Sequence, residues 1–479
     1  MSLRTQLANV YDALDGALSY TDWLQAAQAH DALTGAEAWR ADDTSSHVDT
    51  VELRAHILQM RTLHGQNRAL ELAALLNDSV YRHAADLADP ELYAVALAGP
   101  KHFVEDYLDE TTTAIRWLAT VEVPGLPTAE RRRRFRTAAQ VYGRSALMLS
   151  GGATLGFHHL GVVKGLFELG LLPDILSGAS TGAMIASGVC ARNDDELRAM
   201  YADTDSIRLD GLLPVGVLGA LRTGSWLDPK QLEAVLANNI GPATFAEAHA
   251  HSGRTLNISV SPTRTRQKPR LLTHLTAPDV LVLSAAMASS ALPGLFPPVQ
   301  LRMRDALGQE VPHIPGERWV DGSIHGDLPK LRLARLHNVN HFIVSQTNPH
   351  VLPFVRHHGQ QGLRPAIAGF TSTTLRSYGA YSADIARRAS RRAPGPLRQV
   401  AEQAYALASQ EYGGDIDIHP QFHWRLYKKV VSNPSRKDLA DFIREGERSV
   451  WPKVALIRNQ TAIGRAFTEA LADLDSGSP

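Results

Sequence analysis

The sequence predicts an α/β protein: a three-layer α/β/α core with a mostly parallel sheet, flanked in the chain by N-terminal and C-terminal helical regions. Three observations carry this. Between Tyr142 and about Pro349, short apolar runs alternate with helical patterns, which is how strands joined by crossover helices read. Residues 1 to about 125 instead place apolar side chains three and four positions apart, as in LELAALLNDSVYRHAADL and FVEDYLDETTTAIRWLATV. After Asn348-Pro349-His350 the helical spacing returns and runs to the small-residue tail DSGSP.

The candidate strands are Ala146–Leu149, Ile175–Ser177, Leu256–Val260, Val280–Leu283, Trp319–Val320 and Phe342–Gln346. A hinge is expected at Pro124-Gly125-Leu126-Pro127, where the first proline and glycine cluster ends the helical pattern. At 479 residues the chain is long enough for two or three domains, and 44% hydrophobic with 20% charged residues is the composition of a globular protein. Lysine plus arginine equal aspartate plus glutamate at 49 each, so bulk charge gives no argument for nucleic acid. The single cysteine, Cys190, excludes an intramolecular disulfide and fits a reducing, cytoplasmic compartment.

No segment reads as a membrane anchor. The start, MSLRTQLANVYDALDG, lacks the sustained apolar run of a signal peptide. Val280 to Leu301 is uncharged, but Pro293, Pro297 and Pro298 would break a spanning helix. Any membrane contact is therefore expected to be peripheral. Two basic stretches each admit two readings, a solvated helix face or a contact with an anionic lipid surface: ERRRRFR at Glu130–Arg136, and the arginine-rich segment from Arg356 to Arg398 with Phe370, Tyr378 and Tyr381 interspersed.

The chemistry concentrates in Ser150–Ala191. LLPDIL supplies an apolar strand, Gly178-Ala179-Ser180-Thr181-Gly182 follows, and Thr181–Ala191 is a helix of small residues. A G-x-S-x-G string between strand and helix holds a serine on a sharp turn, with glycines where only a bare backbone fits. A serine hydroxyl is a poor nucleophile near neutral pH and requires a positioned base. One helix earlier, Gly151-Gly152-Ala153 ends a strand and opens a helix, where free backbone N–H groups favour negative charge and can form an oxyanion hole. The string matches no nucleotide-binding pattern.

From the residues alone the base is open. His158 and His159 lie close in sequence, yet both sit inside a helical run and read better as packing residues. Asp321, in RWVDGSIHGDLP, follows a short apolar strand and so falls at a strand end, where functional groups of open α/β sheets gather. An Asp-Gly pair is equally an ordinary turn.

GGATLGFHHLGVV, GASTG, SSALPGLFPPV and VDGSIHGDLP, in this order, resemble the glycine loop, nucleophile elbow, proline segment and catalytic aspartate of patatin-like lipases. NVNHFIVSQTNPHVLPF, EYGGDIDI and SNPSRKDL are similar to the branch that contains the triacylglycerol lipases of plant oil bodies and yeast lipid droplets. Trp23 through Tyr107 resembles the helical domain of unknown function that precedes the patatin domain there. The resemblance implies three parts: an N-terminal helical domain at 1–140, a patatin-like hydrolase domain at 141–350 and a helical extension at 351–479. It implies a Ser-Asp dyad in which Ser180 is the nucleophile and Asp321 its base, with oxyanion donors from Gly151, Gly152 and Ala153, elbow glycines Gly178 and Gly182, and no metal or organic cofactor.

Two departures mark this chain. Ala153 stands where the common loop has its third glycine, and Thr154-Leu155 where a basic residue often follows; a milder one is Ser323 where a second glycine often follows the aspartate. The expected activity is fatty-acid release from glycerolipid, triacylglycerol first, at a membrane or lipid-body surface. Phospholipase A or lysophospholipase action, or acyl transfer to a second lipid, would use the same dyad. A non-catalytic lipid-surface protein fits less well with Ser180, Asp321 and the glycine loop all present.

Overall fold

A computed structural model describes residues 2–84, 86–223, 225–264, 267–349, 351–352, 413–421 and 429–476. The arginine-rich stretch Arg356–Arg398 lies outside them. The chain forms two units, one from Met1–Arg144 with Val450–Pro479, the other from Ser145–Ser449. The stretch after residue 350 is thus shared between the two.

The first unit is helical. The helix His102–Thr120 shows why: Phe103, Val104, Tyr107, Leu108, Ala114, Ile115 and Leu118 repeat at helical spacing and are all buried. They share a core with Leu53, Ile57 and Met60 of the helix Thr50–Gly65, Leu72 and Val80 of Ala69–Ala84, and Ile463, Phe467 and Leu474 of Val454–Ser476. The arginines of the basic run on Thr128–Tyr142 have partners within this unit: Arg133 and Arg134 pair with Glu130, Arg132 and Arg136 with Asp475.

The second unit is built on strands β1 (Arg144–Leu149), β2 (Ile175–Gly178), β3 (Thr255–Pro262), β4 (Arg270–Leu272), β5 (Arg302–Arg304), β6 (Glu310–Pro312), β7 (Trp319–Asp321), β8 (Val339–Ser345) and β9 (Ile416–Ile418). β5 and β6 form a separate hairpin; the other seven make one sheet in the order β4-β3-β2-β1-β8-β9, with β7 also on β3. β1–β2, β2–β3 and β8–β9 are parallel, while β4 and β7 run antiparallel to β3. Residues Thr255 to Ser261 of β3 are all buried, as expected for a strand covered on both faces.

Chain order reverses around β1, which has β2 on one side and β8 on the other. The crevice at the carboxyl ends of such neighbours is where open α/β sheets bind ligands. Here it gathers Gly151 after β1, Ser180 after β2 and Asn348 after β8.

One expected strand is a helix. Val280 makes a single bridge to Met303, and Val282–Ser289 is helical. Four consecutive apolar residues fit a buried helix as well as a buried strand. The small side chains of SAAMAS let that helix lie close, and Ser284 Oγ donates back to Leu281 O at 2.9 Å. β4, the β5–β6 hairpin and β9 are strands that the sequence pattern did not reveal.

Candidate active site

Ser180 occupies a backbone conformation that side chains rarely adopt, φ +53° and ψ −126°. Such geometry costs of order 1–3 kcal/mol and persists only where its surroundings over-determine it. Ala179 N–H donates to Leu149 O at 3.2 Å and Ser180 N–H to Ser289 Oγ at 3.1 Å; Ser290 Oγ donates to Ser180 O at 3.3 Å. The elbow glycines are sterically required. A Cβ on Gly178 would fall 2.4 Å from Gly182 O, and one on Gly182 2.1 Å from Leu149 O.

Asp321 ends β7, opposite Val260, and is 1% exposed. Its Oδ1 accepts from Ser323 N–H at 2.8 Å and Ser323 Oγ at 2.7 Å. Burial pushes its carboxyl up to about 6, opposed by the Ser323 donors and, least, by the nearby Ser180 hydroxyl. The serine and the aspartate, far apart in sequence, are thus brought to the same segment of the fold. Their frame is the Ser289-Ser290-Ala291 segment: Ser289 Oγ accepts from Ser180 N–H and donates to Ser259 O at 2.7 Å, while Asp321 N–H donates to Ala291 O at 3.1 Å.

The glycine loop lies beside this pair, but its three residues differ. Gly151 N–H points inward to Asp327 Oδ1 at 2.8 Å, so it is not free to face a substrate. A Cβ on Gly152 would fall 2.2 Å from Thr347 Oγ1, so the close approach demands glycine. Ala153 holds φ +48°, a left-handed conformation that glycine ordinarily supplies. The amides of Gly152 and Ala153 donate to no group among the described residues.

Asp327 was not singled out as a site residue by sequence reasoning, nor were Asn348 and Ser289, and Ser323 was noted only as a departure after Asp321. Asp327 is 1% exposed and also accepts from Asn348 Nδ2 at 2.6 Å. Burial pushes its carboxyl up to about 7; the Asp321 charge adds to this, and the Gly151 and Asn348 donors oppose it. The only advance signal was its place in the GDLP string six residues after Asp321.

Both histidines are fully buried behind the loop. His159 Nε2 lies 2.9 Å from Ser150 O and its Nδ1 2.7 Å from Ser345 Oγ; burial drives its pKa down to about 4. Burial likewise drives His158 well below the usual range. The His159 ring thus bonds to the ends of the strands beneath the loop, whereas neither ring nitrogen of His158 has a hydrogen-bond partner among the described residues.

A cavity of about 160 Å³ opens at Ser180, Ala153 and Ser290. Met184, Ile185, Leu232, Val235, Leu236 and Phe296 give it an apolar wall. Arg192 also reaches the lining, but its guanidinium is held by Gly188 O at 2.7 Å and Asn239 O at 2.8 Å. The arrangement can present a nucleophilic oxygen, a carboxylate base and free backbone donors at the mouth of an apolar slot.

Residues 147–331 match the patatin-like phospholipase family, and residues 1–140 match a domain of unknown function, DUF3336. Triacylglycerol lipase ptl3 of Schizosaccharomyces pombe is 34% identical over 94% of this chain and 94% of its own. The chain belongs to the patatin-like phospholipase family. Triacylglycerol lipase SDP1L of Arabidopsis thaliana is 31% identical over 96% of this chain, which spans 58% of the plant protein. Among solved structures, VipD from Legionella pneumophila aligns with 70% of this chain and 67% of its own, at 15% identity and a TM-score of 0.30. As a member of this family the chain is an ester hydrolase. No helix among the described residues is long and apolar enough to cross a membrane.

Proposed function

We propose that this hydrolase is a triacylglycerol lipase working through a Ser180–Asp321 dyad. The observation that carries the proposal is Ser180, on a strained elbow beside the buried carboxyl of Asp321 and lining an apolar cavity. A carboxyl with a pKa near 6 is ionised at neutral pH and still basic enough to take a proton as a bond forms. Ser180 Oγ attacks the ester carbonyl as its proton passes to Asp321. The tetrahedral oxyanion is stabilised by the amides of Gly152 and Ala153, each such donor contributing about 2.7–4 kcal/mol. Collapse releases the alcohol, which takes the proton from Asp321, and leaves an acyl-enzyme. Water then enters, gives a proton to Asp321 as its oxygen adds to the acyl carbon, and the second intermediate breaks the acyl–Oγ bond, freeing the fatty acid as Asp321 returns the proton to Ser180. The apolar wall would hold the acyl chain.

Lipid-surface docking is part of the same reading. The segment 211–228 borders the cavity through Gly211 and Leu212 and is tied to the opposite rim by Trp226 N–H to Gly294 O and Leu227 N–H to Leu295 O, both 3.1 Å. Val217, Leu218 and Trp226 on it are exposed by 65%, 85% and 56%. Exposed apolar side chains on the segment that borders the cavity suit entry into a lipid surface.

The deciding experiment gives the purified chain triolein, phosphatidylcholine and a short p-nitrophenyl ester, with Ser180→Ala and Asp321→Asn alongside. Triolein turnover above phosphatidylcholine, lost in both variants, is expected. Full activity of Ser180→Ala would remove the nucleophile assignment, and preference for phosphatidylcholine would move the substrate to phospholipid. Leu218→Asp with Trp226→Ala should reduce flotation with lipid emulsion while sparing the soluble ester; unchanged flotation would remove the docking surface.

A further inference from the structure

The helical unit holds a cluster unrelated to ester hydrolysis. Glu52 and His56 stand four residues apart on the helix Thr50–Gly65, and therefore on one face. His83, near the end of Ala69–Ala84, comes up against that face. The potential ligand atoms of the three side chains lie within 4.8 Å of one another. Nδ1 of His56 is 3.1 Å from Nε2 of His83, and the rings are tilted at 56° with centroids 5.2 Å apart, so two nitrogen edges converge without stacking.

We infer that Glu52, His56 and His83 form a binding site for a divalent transition-metal ion of the zinc class. A zinc ion with bonds of about 2.0–2.1 Å to each nitrogen holds tetrahedral ligand atoms roughly 3.3–3.4 Å apart, close to the spacing of the two imidazole nitrogens. Two imidazoles and one carboxylate suit Zn²⁺ better than the oxygen-seeking Mg²⁺ or Ca²⁺. Glu52 needs only a rotation of its half-exposed side chain to close the third position. The partly exposed side leaves a fourth position for water.

The surroundings fit the same role. His83 is 3% exposed and set edge-on against Tyr107, with ring centroids 5.6 Å apart and an interplanar angle of 83°. Its far nitrogen, Nδ1, lies 3.9 Å from Asp86 Oδ2, the side from which a carboxylate orients a metal-bound imidazole. Burial lowers the pKa of His83 and keeps the ring in the neutral form that ligates. Arg82 is the competing charge. It pairs with Glu52 Oε1 and must share that carboxylate with the ion. The alternative occupant of the 3.1 Å gap is a proton, shared in a plain histidine–histidine hydrogen bond.

The test uses the full chain stripped with a chelator and titrated with ZnCl₂ by calorimetry, with metal content measured after desalting. One zinc per chain, competed out by a chelator of micromolar affinity or better, is the expected result, together with a rise in Tm on adding zinc. His56→Gln and Glu52→Gln, both at partly exposed positions, should keep the fold by circular dichroism, weaken zinc binding at least 30-fold and abolish the Tm rise. Mg²⁺ should not substitute. Failure to bind a stoichiometric ion, or equal binding by His56→Gln, overturns the inference and leaves the pair as a hydrogen bond. Ester hydrolysis by Ser180 is not expected to change with zinc, so this test is separate from that of the dyad.

Discussion

Replacing Asp327 tests whether the loop beside Ser180 is held in place from beneath. Its carboxyl accepts from Gly151 N–H and Asn348 Nδ2, both buried, and Gly151 immediately precedes the two amides assigned to the oxyanion. Asp327→Ala leaves both donors without an acceptor at about 1–3 kcal/mol each, so about 2–6 kcal/mol falls on stability or on loop position. Loss of one oxyanion donor lowers kcat by about 10²–10³. Asp327→Ala is therefore expected to reduce kcat by about 100-fold or more with KM little changed, because an apolar slot binds the ester before the oxyanion exists. Asp327→Asn keeps volume and can still accept from Gly151 with its one oxygen, but its amide then faces the Asn348 amide. A smaller loss, about 10-fold, is expected, since one of the two contacts is kept. The assay is kcat and KM on a p-nitrophenyl ester in parallel with Tm. If Asp327→Ala loses Tm but keeps kcat within about threefold of the parent, the tether serves folding only and the link to the oxyanion loop is refuted.

Four other outcomes follow from the same geometry. Ser180-dependent kcat should rise through about pH 6 as Asp321 ionises, and Asp321→Asn should lose the rise together with the activity. Asp321 and Asp327 both have folded pKa values above the unfolded 3.8, so the folded state binds more protons between about pH 4 and pH 7; stability should fall as pH rises through that window and level off above it. For Asp321 alone this is about 3 kcal/mol in full, of which about 2 kcal/mol falls between pH 4.5 and pH 8, read by urea denaturation at those two pH values in wild type and Asp321→Asn; an equal change in both would contradict it. Ala153→Gly should relieve the left-handed strain of about 1 kcal/mol or more, partly offset by the freer unfolded chain, and raise or hold Tm without loss of kcat. Gly182→Ala sets a Cβ against Leu149 O and should abolish soluble active protein, whereas Gly188→Ala, with 3.6 Å of clearance, should be tolerated.

The elbow was legible because strand, turn and helix are contiguous, and the collision at Gly178 is with Gly182 of the same motif; that at Gly182, with Leu149 O on β1, comes from the neighbouring strand. Asp321 was legible only with the family resemblance, since the antiparallel pairing of β7 on β3 that delivers it is a contact across some sixty residues of chain. Asp327 and Asn348 escaped because a buried carboxyl in a loop looks in sequence like any solvated one; their value comes from the meeting of loops after β7 and β8. Val280–Leu283 misled for the opposite reason. Its apolar run is truly buried, but burial does not say whether the backbone bonds to itself or to a neighbour. β9 is three residues long, too short for alternation to register.

The way the first unit is assembled bears on how the chain can be made. Residues from Ile463 to Leu474 share a core with Leu53, Phe103 and Tyr107, which are synthesised roughly 360 to 420 positions earlier. During translation those early helices emerge with their apolar faces uncovered and must wait for the last one. The hydrolase unit is in effect an insertion within the helical one, and can close its sheet first. A fragment cut to residues 147–331 would lack β8 and β9, and one cut at 144 would lack the final helix. The core of the first unit is therefore completed only once the last helix has been made, whereas the strands of the inserted unit are all synthesised before it.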